Sequence, residues 1–318
     1  MPRTPEGIRG GVITGWGCAL GRETVTNADL ERTLDTSDAW IVERTGISAR
    51  QVGGSTAELS IESGKAALAM SGVDPADIDA LVLSTTTPDR NVPATSATVQ
   101  HALGLRCGAY DINAACSGWV YGLVNAHGLI AMGAEKVLLI GTDTLSRITD
   151  WSDRGTAVLF GDGSGATVIE AGDGPGQLLA WDLDADGSAE DYLYSDFGGY
   201  IQMNGKEVFR RAVRIMVDSA KKSIEHAGVS LDDVALVVPH QANSRIITAA
   251  CERLELPLER AAIVLHRTGN TSSASIPLAL VDALDGGRVN DGDVILFVGF
   301  GAGMTAASAL IRWGGGSR

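Results

Sequence analysis

The sequence predicts an α/β fold assembled from two similar halves, and three observations carry that reading. Short apolar, β-branched runs alternate with Ala-rich helical stretches along most of the 318 residues, the pattern of βαβ units feeding buried, largely parallel sheets. A helix, a glycine stop and a strand recur at one offset: Ser63–Asp74 followed by Ile78-Asp-Ala-Leu-Val-Leu is echoed by Ser219–Ser230 followed by Val234-Ala-Leu-Val-Val. Such recurrence at about 155 residues is the mark of a duplicated unit. Finally, 45% hydrophobic residues supply a sizeable core, and no charged or low-complexity linker divides the chain. The expected halves are 1–171 and 172–318, joined at Gly172-Asp-Gly-Pro-Gly-Gln.

Taken in order, Met1–Arg9 carries no continuous apolar stretch, so no signal peptide is expected. Val137-Leu-Leu-Ile and Val294-Ile-Leu-Phe read as matching strands of the two halves. Phe160-Gly-Asp-Gly-Ser-Gly-Ala lacks the Lys-Ser/Thr ending of a phosphate loop and is expected to form a tight hairpin between two strands. Val294–Ile311 reaches transmembrane length but is broken by Gly299, Gly301 and Gly303. Two buried strands around a glycine-rich turn fit it better.

Net charge is −14 and the isoelectric point about 4.7, which argues against nucleic-acid backbones as the main partner. The four cysteines have neither metal-site spacing nor the density of a secreted disulfide scaffold, so a reducing compartment, the cytoplasm, is expected. No metal site is expected, because the five histidines show no ligand spacing.

Three residues stand where chemistry collects in α/β folds, at strand ends and helix entrances. Cys116, in Ala114-Ala-Cys-Ser-Gly, precedes an apolar stretch ending at Gly133, so it lies at the entrance of a buried helix. The helix dipole there is expected to lower the thiol pKa; a small core cysteine is the competing reading. His240 ends the run Ala235-Leu-Val-Val-Pro-His, as an active-site or a structural histidine. Asn270, in Thr268-Gly-Asn-Thr-Ser, opens another apolar helix, as an N-cap or a site residue. Its spacing from Cys116 nearly matches the repeat, so the two are expected at equivalent helix entrances around one central site.

Together with Asp35-Thr-Ser-Asp-Ala-Trp-Ile-Val-Glu-Arg-Thr-Gly-Ile, Asp153-Arg-Gly-Thr, Val238-Pro-His-Gln-Ala-Asn and Phe300-Gly-Ala-Gly, these motifs in this order resemble β-ketoacyl-acyl carrier protein synthase III, in the thiolase-like condensing enzyme superfamily. The resemblance runs from about Ile8 to Trp313. It implies a five-layered α/β/α/β/α fold of two duplicated halves, a homodimer, and no permanently bound cofactor. It further implies an acyl group passed from acyl-CoA to Cys116, then condensed with malonyl-acyl carrier protein as CO2 leaves. His240 and Asn270 would stabilise the enolate, and the backbone N–H groups of Cys116 and Ala302 the oxyanion; many relatives have glycine where Ala302 stands. Trp40, Arg44, Arg154 and Asn243 would hold the CoA portion. Val92, where acetyl-primed members often carry Phe, would line the acyl pocket across the dimer interface. An acidic carrier protein would dock on Arg210, Arg211, Arg214, Lys221, Lys222 and Arg245, although Glu252 interrupts the expected basic surface.

Three other readings compete. An acyltransferase of the same fold would pass the acyl group to a hydroxyl or amine, but such enzymes commonly carry Asp where Asn270 stands. A papain-like Cys-His-Asn hydrolase has the same chain order without the duplicated pattern. A non-catalytic partner subunit would leave the three polar residues without a task.

Overall fold

The computed structural model describes residues 9–172, 174 and 176–314. Residues 1–8 of the N-terminal segment and, in the 172–177 joint, Asp173 and Pro175 lie outside the described residues. The strands are β1 (Gly11–Leu20), β2 (Glu23–Thr26), β3 (Ala49–Val52), β4 (Ala80–Ser84), β5 (Gly108–Ile112), β6 (Lys136–Thr144), β7 (Asp162–Ala171), β8 (Leu178–Ala185), β9 (Leu193–Tyr194), β10 (Gln202–Met203), β11 (Val234–Pro239), β12 (Val294–Gly301) and β13 (Thr305–Arg312). The helices are α1 (Asn27–Glu31), α2 (Asp38–Thr45), α3 (Thr56–Ser71), α4 (Thr95–Leu103), α5 (Gly118–Ala131), α6 (Arg154–Ala157), α7 (Gly205–Ala227), α8 (Ser244–Arg253), α9 (Leu265–Thr268) and α10 (Ser275–Asp285).

Two sheets organise the molecule, ordered β1-β7-β6-β4-β5 and β8-β13-β12-β11. Orientation repeats with order: β6 is parallel to β4 and antiparallel to β7, as β12 is parallel to β11 and antiparallel to β13. A parallel bridge between Val237 and Ala261 extends the second sheet where β5 extends the first. Each sheet is therefore mixed rather than largely parallel. In the second sheet an antiparallel pair arises where β12 returns through a short turn into β13, a connection too brief for a parallel crossover.

Helices α5 and α10 lie between the sheets, and their apolar side chains, including Trp119, Leu123, Ile276 and Leu280, form one core with β4, β6, β11 and β12. A helix with sheet on both sides must be apolar nearly all round, which explains the composition after Cys116. The outer faces are covered by α3 and α4 on one side and by α7 and α8 on the other. This gives five layers, α/β/α/β/α.

The expected hairpin at 160–166 is not formed. Asp162–Ala171 is one continuous strand, pairing with β1 and β6 on its two edges. Its glycines serve close packing: a Cβ on Gly165 would lie 2.6 Å from Pro277 Cβ of α10. Glycine was read as a turn former where it is a packing device.

Candidate active site

Cys116 sits in the single 3-10 turn Ala115–Ser117 that links β5 to α5. The turn begins with Ala115 at φ 48°, a left-handed conformation costly for a residue with a Cβ. Side chains hold it there: Asn113 Oδ1 accepts the Ala115 N–H (3.1 Å), and the Thr305 hydroxyl donates to the Ala114 carbonyl (2.9 Å). The end of β12 presses against the same turn. A Cβ on Gly301 would lie 2.7 Å from the Cys116 nitrogen, so only glycine admits this approach.

His240 follows β11 and extends it, its N–H donating to the Val298 carbonyl at 2.8 Å. The buried imidazole meets the Phe300 ring edge-on, with centroids 5.3 Å apart. Its Nδ1 is 2.7 Å from Ser275 Oγ, which also accepts the Gln241 N–H at 3.3 Å. When the Ser275 hydroxyl gives its own hydrogen to Nδ1, the ring proton resides on Nε2.

Asn270 is locked into the first half by its backbone, its N–H donating to Leu159 and its carbonyl accepting from Gly161. Its Oδ1 accepts the Ser272 N–H at 2.9 Å, which leaves the Nδ2 hydrogens as donors. Ser272 in turn lines the same cavity as the Cys116 thiol and acts to lower its pKa. At the end of β12, a Cβ on Gly299 would lie 3.6 Å from His240 Cβ and 3.7 Å from the Cys116 carbonyl oxygen. Cys116, His240 and Asn270 thus converge on the end of β12 and the 270–275 turn.

Burial dominates the electrostatics of both titratable groups. It pushes the Cys116 thiol up to about 12, with Ser272 acting to lower it and the nearby Asp143 carboxylate adding to the rise. This corrects the expected dipole-lowered thiol: desolvation outweighs the helix terminus. Burial likewise pushes the His240 imidazole down to about 3.

The equivalence of Cys116 and Asn270 is also corrected. Asn270 matches Asn113, each accepting the N–H two residues later, and Ser273 matches Cys116; both pairs are 157 positions apart (270 − 113, 273 − 116). Ser272, at φ 49°, repeats the left-handed Ala115.

A cavity of about 740 Å³ opens beside the thiol, walled by Cys116, Ser272, Ala302, Leu145, Phe160 and Ile201. Cys116 and Ala302 both line the cavity, at the turns that follow β5 and β12. The left-handed angle of the turn after β12 falls on Gly303 (φ 119°), so alanine is admitted at 302.

Trp40, Arg44, Arg154 and Asn243 form a separate cluster outside the cavity wall. The guanidinium carbons of Arg44 and Arg154 lie 4.7 and 4.8 Å from the Trp40 ring centroid, and Asn243 Nδ2 donates to the Arg44 carbonyl (2.9 Å). Val92 is 83% exposed and does not wall the cavity of its own chain, whereas Asn91 does.

The α7 cations do not share one free face. Arg210 pairs with Glu207 (2.7 Å), Arg211 with Asp186 (3.5 Å), and Lys222 with Asp182 (3.5 Å) and Asp184 (3.7 Å). Arg214 and Lys221 have no ion pair among the described residues, and Arg245 lies 5.4 Å from the Phe209 ring of α7. Sequence reasoning missed Ser272 and Ser275, whose only signal was a serine-rich run beside Asn270.

Residues 110–187 match the family model described as 3-oxoacyl-[acyl-carrier-protein (ACP)] synthase III, and residues 224–313 match the model of its C terminal. The β-ketoacyl-[acyl-carrier-protein] synthase III of Roseiflexus castenholzii is 49% identical over 324 aligned residues, covering 96% of this chain and 98% of that one. The crystal structure of 3-oxoacyl-[acyl-carrier-protein] synthase III from Aquifex aeolicus superimposes with a TM-score of 0.94 at 42% identity, over 96% of this chain and 100% of its own. The priming β-ketosynthase of the R1128 polyketide biosynthetic pathway reaches a TM-score of 0.92 at 34% identity, over 99% of both chains.

Proposed function

The chain belongs to the 3-oxoacyl-[acyl-carrier-protein] synthase III family of condensing enzymes, and we propose that it joins an acyl group from acyl-CoA to malonyl-acyl carrier protein with loss of CO2, initiating fatty-acid or polyketide synthesis. The observation that carries this reading is a thiol on a strained turn, beside a cavity, with two neutral N–H donors behind it.

In the first half-reaction the Cys116 sulfur attacks the thioester carbonyl. The new S–C bond forms, the C–S bond to CoA breaks, and the thiol proton leaves with the CoA sulfur. Backbone N–H groups of Cys116 and Ala302, both at the cavity wall, suit the intervening oxyanion. Trp40 beside two guanidiniums suits a purine, by stacking and cation–π attraction. The acyl group then occupies the cavity.

In the second half-reaction the malonyl C–C bond breaks and its electron pair becomes the thioester enolate. His240 Nε2–H and Asn270 Nδ2–H suit that oxygen, because a neutral donor stabilises a developing negative charge that a carboxylate would repel. The enolate carbon attacks the acyl-Cys116 carbonyl, and the released sulfur takes up a proton. The cytoplasm is the proposed setting and the homodimer the proposed assembly, with 1–171 supplying Cys116 and 172–318 supplying His240 and Asn270. Carrier docking is assigned to Arg214, Lys221 and Arg245.

Intact-mass measurement tests the reading. The wild-type enzyme should gain one acyl group from acyl-CoA, Cys116→Ala should gain none, and malonyl carrier protein should then discharge the acyl group with release of CO2. Acylation at another residue would overturn the assignment. Discharge to a hydroxyl or amine without CO2 would favour the same-fold acyltransferase.

A further inference from the structure

The stretch Thr85–Asp89, which follows β4, is irregular backbone, yet it walls the cavity with Thr86, Thr87 and Pro88. Such a segment is ordinarily the mobile part of a fold. Here charged side chains take up both its donors and its acceptors. The fully buried Asp143 Oδ1 accepts from Thr86 N (2.7 Å), Thr87 N (3.1 Å), and the hydroxyls of Thr85 (3.0 Å), Thr86 (3.1 Å) and Thr87 (2.9 Å). Arg147, which also lines the cavity, donates through Nη2 to the carbonyls of Thr87 (2.5 Å) and Pro88 (3.2 Å). Arg147 Nη1 meets Asp89 at 2.9 Å, and Asp89 is fastened to the start of α3 by the N–H groups of Thr56 (3.0 Å) and Ala57 (2.8 Å).

The second oxygen of Asp143 accepts the Ser273 N–H at 3.0 Å. Ser273 directly follows Ser272, which lines the cavity together with Cys116. The cavity wall and the neighbour of the thiol therefore share one anchor. Hydrogen bonds to charged groups are roughly twice as strong as neutral ones, so this wall is held at a set distance from the sulfur. Among the functions of the fold, a fixed wall beside a covalently attached group does one thing: it sets how much of that group fits.

We infer that Asp143, Arg147 and Asp89 are positioning residues that hold the 85–89 wall against Cys116 and thereby limit the length of acyl group the enzyme accepts. None of them touches the reacting atoms. The inference rests on the acyl-CoA reading above, and the substrate class it concerns is straight-chain acyl thioesters of increasing length.

The test uses the full chain and acetyl-, butyryl-, hexanoyl- and octanoyl-CoA, with kcat and KM measured for acylation of Cys116. In Arg147→Gln the ratio of kcat/KM for the longest to the shortest substrate should rise at least tenfold, carried by KM. Asp89→Asn should shift it the same way, and the double variant should add little. Alkylation of Cys116 by iodoacetamide should stay within twofold of wild type, showing an intact nucleophile. Unchanged length ratios, or a uniform fall across the four substrates, would overturn the inference. If Arg147→Gln does not fold, Arg147→Lys keeps the charge but loses the forked contacts, and a smaller shift in the same direction is expected. Failure of the wild-type enzyme to be acylated by any of the four would instead sink the functional reading.

Discussion

Ser275 shows how one hydroxyl decides what a catalytic side chain is able to do. It accepts the Gln241 N–H and lies 2.7 Å from His240 Nδ1; giving its own hydrogen to Nδ1 leaves the ring proton on Nε2. With burial holding the ring neutral down to about 3, the role proposed for His240 is that of hydrogen-bond donor rather than base for Cys116. Asn270 is prepared in the same manner, its oxygen occupied by Ser272 and its amide hydrogens left over. Ser275→Ala removes the orienting hydrogen, and losing a buried hydrogen bond costs about 1–3 kcal/mol. CO2 release from malonyl carrier protein should fall roughly ten- to hundredfold, while acylation of Cys116, which does not use His240, should change by less than about threefold. Equal losses in both half-reactions, measured by mass and by CO2, would remove the orienting role.

At the scale of elements, the nucleophile depends on how closely β12 approaches the turn before α5. A methyl group on Gly301 would meet the Cys116 nitrogen at 2.7 Å and Ala115 Cβ at 2.9 Å, so Gly301→Ala must push the turn away from the strand. Overpacking of this kind costs about 1–3 kcal/mol. Thermal unfolding should record that loss, and acylation should fall by a further two orders of magnitude or so, because displacement of a reacting atom by a fraction of an ångström is costly. Helix α7 carries a second element-scale prediction. Arg214 is unpaired among the described residues, whereas Lys222 is committed to the nearly buried Asp182. Arg214→Glu should raise KM for malonyl carrier protein about tenfold at low salt and leave acylation by acyl-CoA unchanged, since docking by complementary charge acts on encounter. Lys222→Glu should instead lower the unfolding midpoint, because it leaves a carboxylate pair in a poorly solvated place. If Lys222→Glu weakens docking as strongly as Arg214→Glu, the division of α7 into docking and structural cations is wrong.

For the whole molecule, duplication is the organising fact, and its legibility in the sequence was uneven. Apolar strands, glycine stops and the buried helix after Cys116 are local signals, and each reappears where expected. The correspondence of Asn270 with Asn113 was not legible, because it depends on two left-handed turns whose angles no residue type announces. Nor was β7, where the glycines that suggest a hairpin instead admit α10. The central helix layer has a further consequence. It buries His127 on α5, with Nδ1 accepting the Gly11 N–H (3.2 Å) and Nε2 unpaired among the described residues. Burial pushes His127 down to about 4 and His240 to about 3, from an ordinary 6.5. Folded-state values below the unfolded one mean that the unfolded chain binds more protons, so stability is fully present above about pH 6.5 and drains away as pH falls toward the folded values. Each histidine contributes a slope that approaches about 1.4 kcal/mol per pH unit, so the two together remove roughly 3 kcal/mol between pH 6.5 and 5. Against the 5–15 kcal/mol typical of folded domains, that is a large share. Urea unfolding should therefore show a steep loss of stability below pH 6, and His127→Gln should cut the slope between pH 6 and 5 by about half. A flat profile over that range would show that the layer between the sheets admits water to these rings.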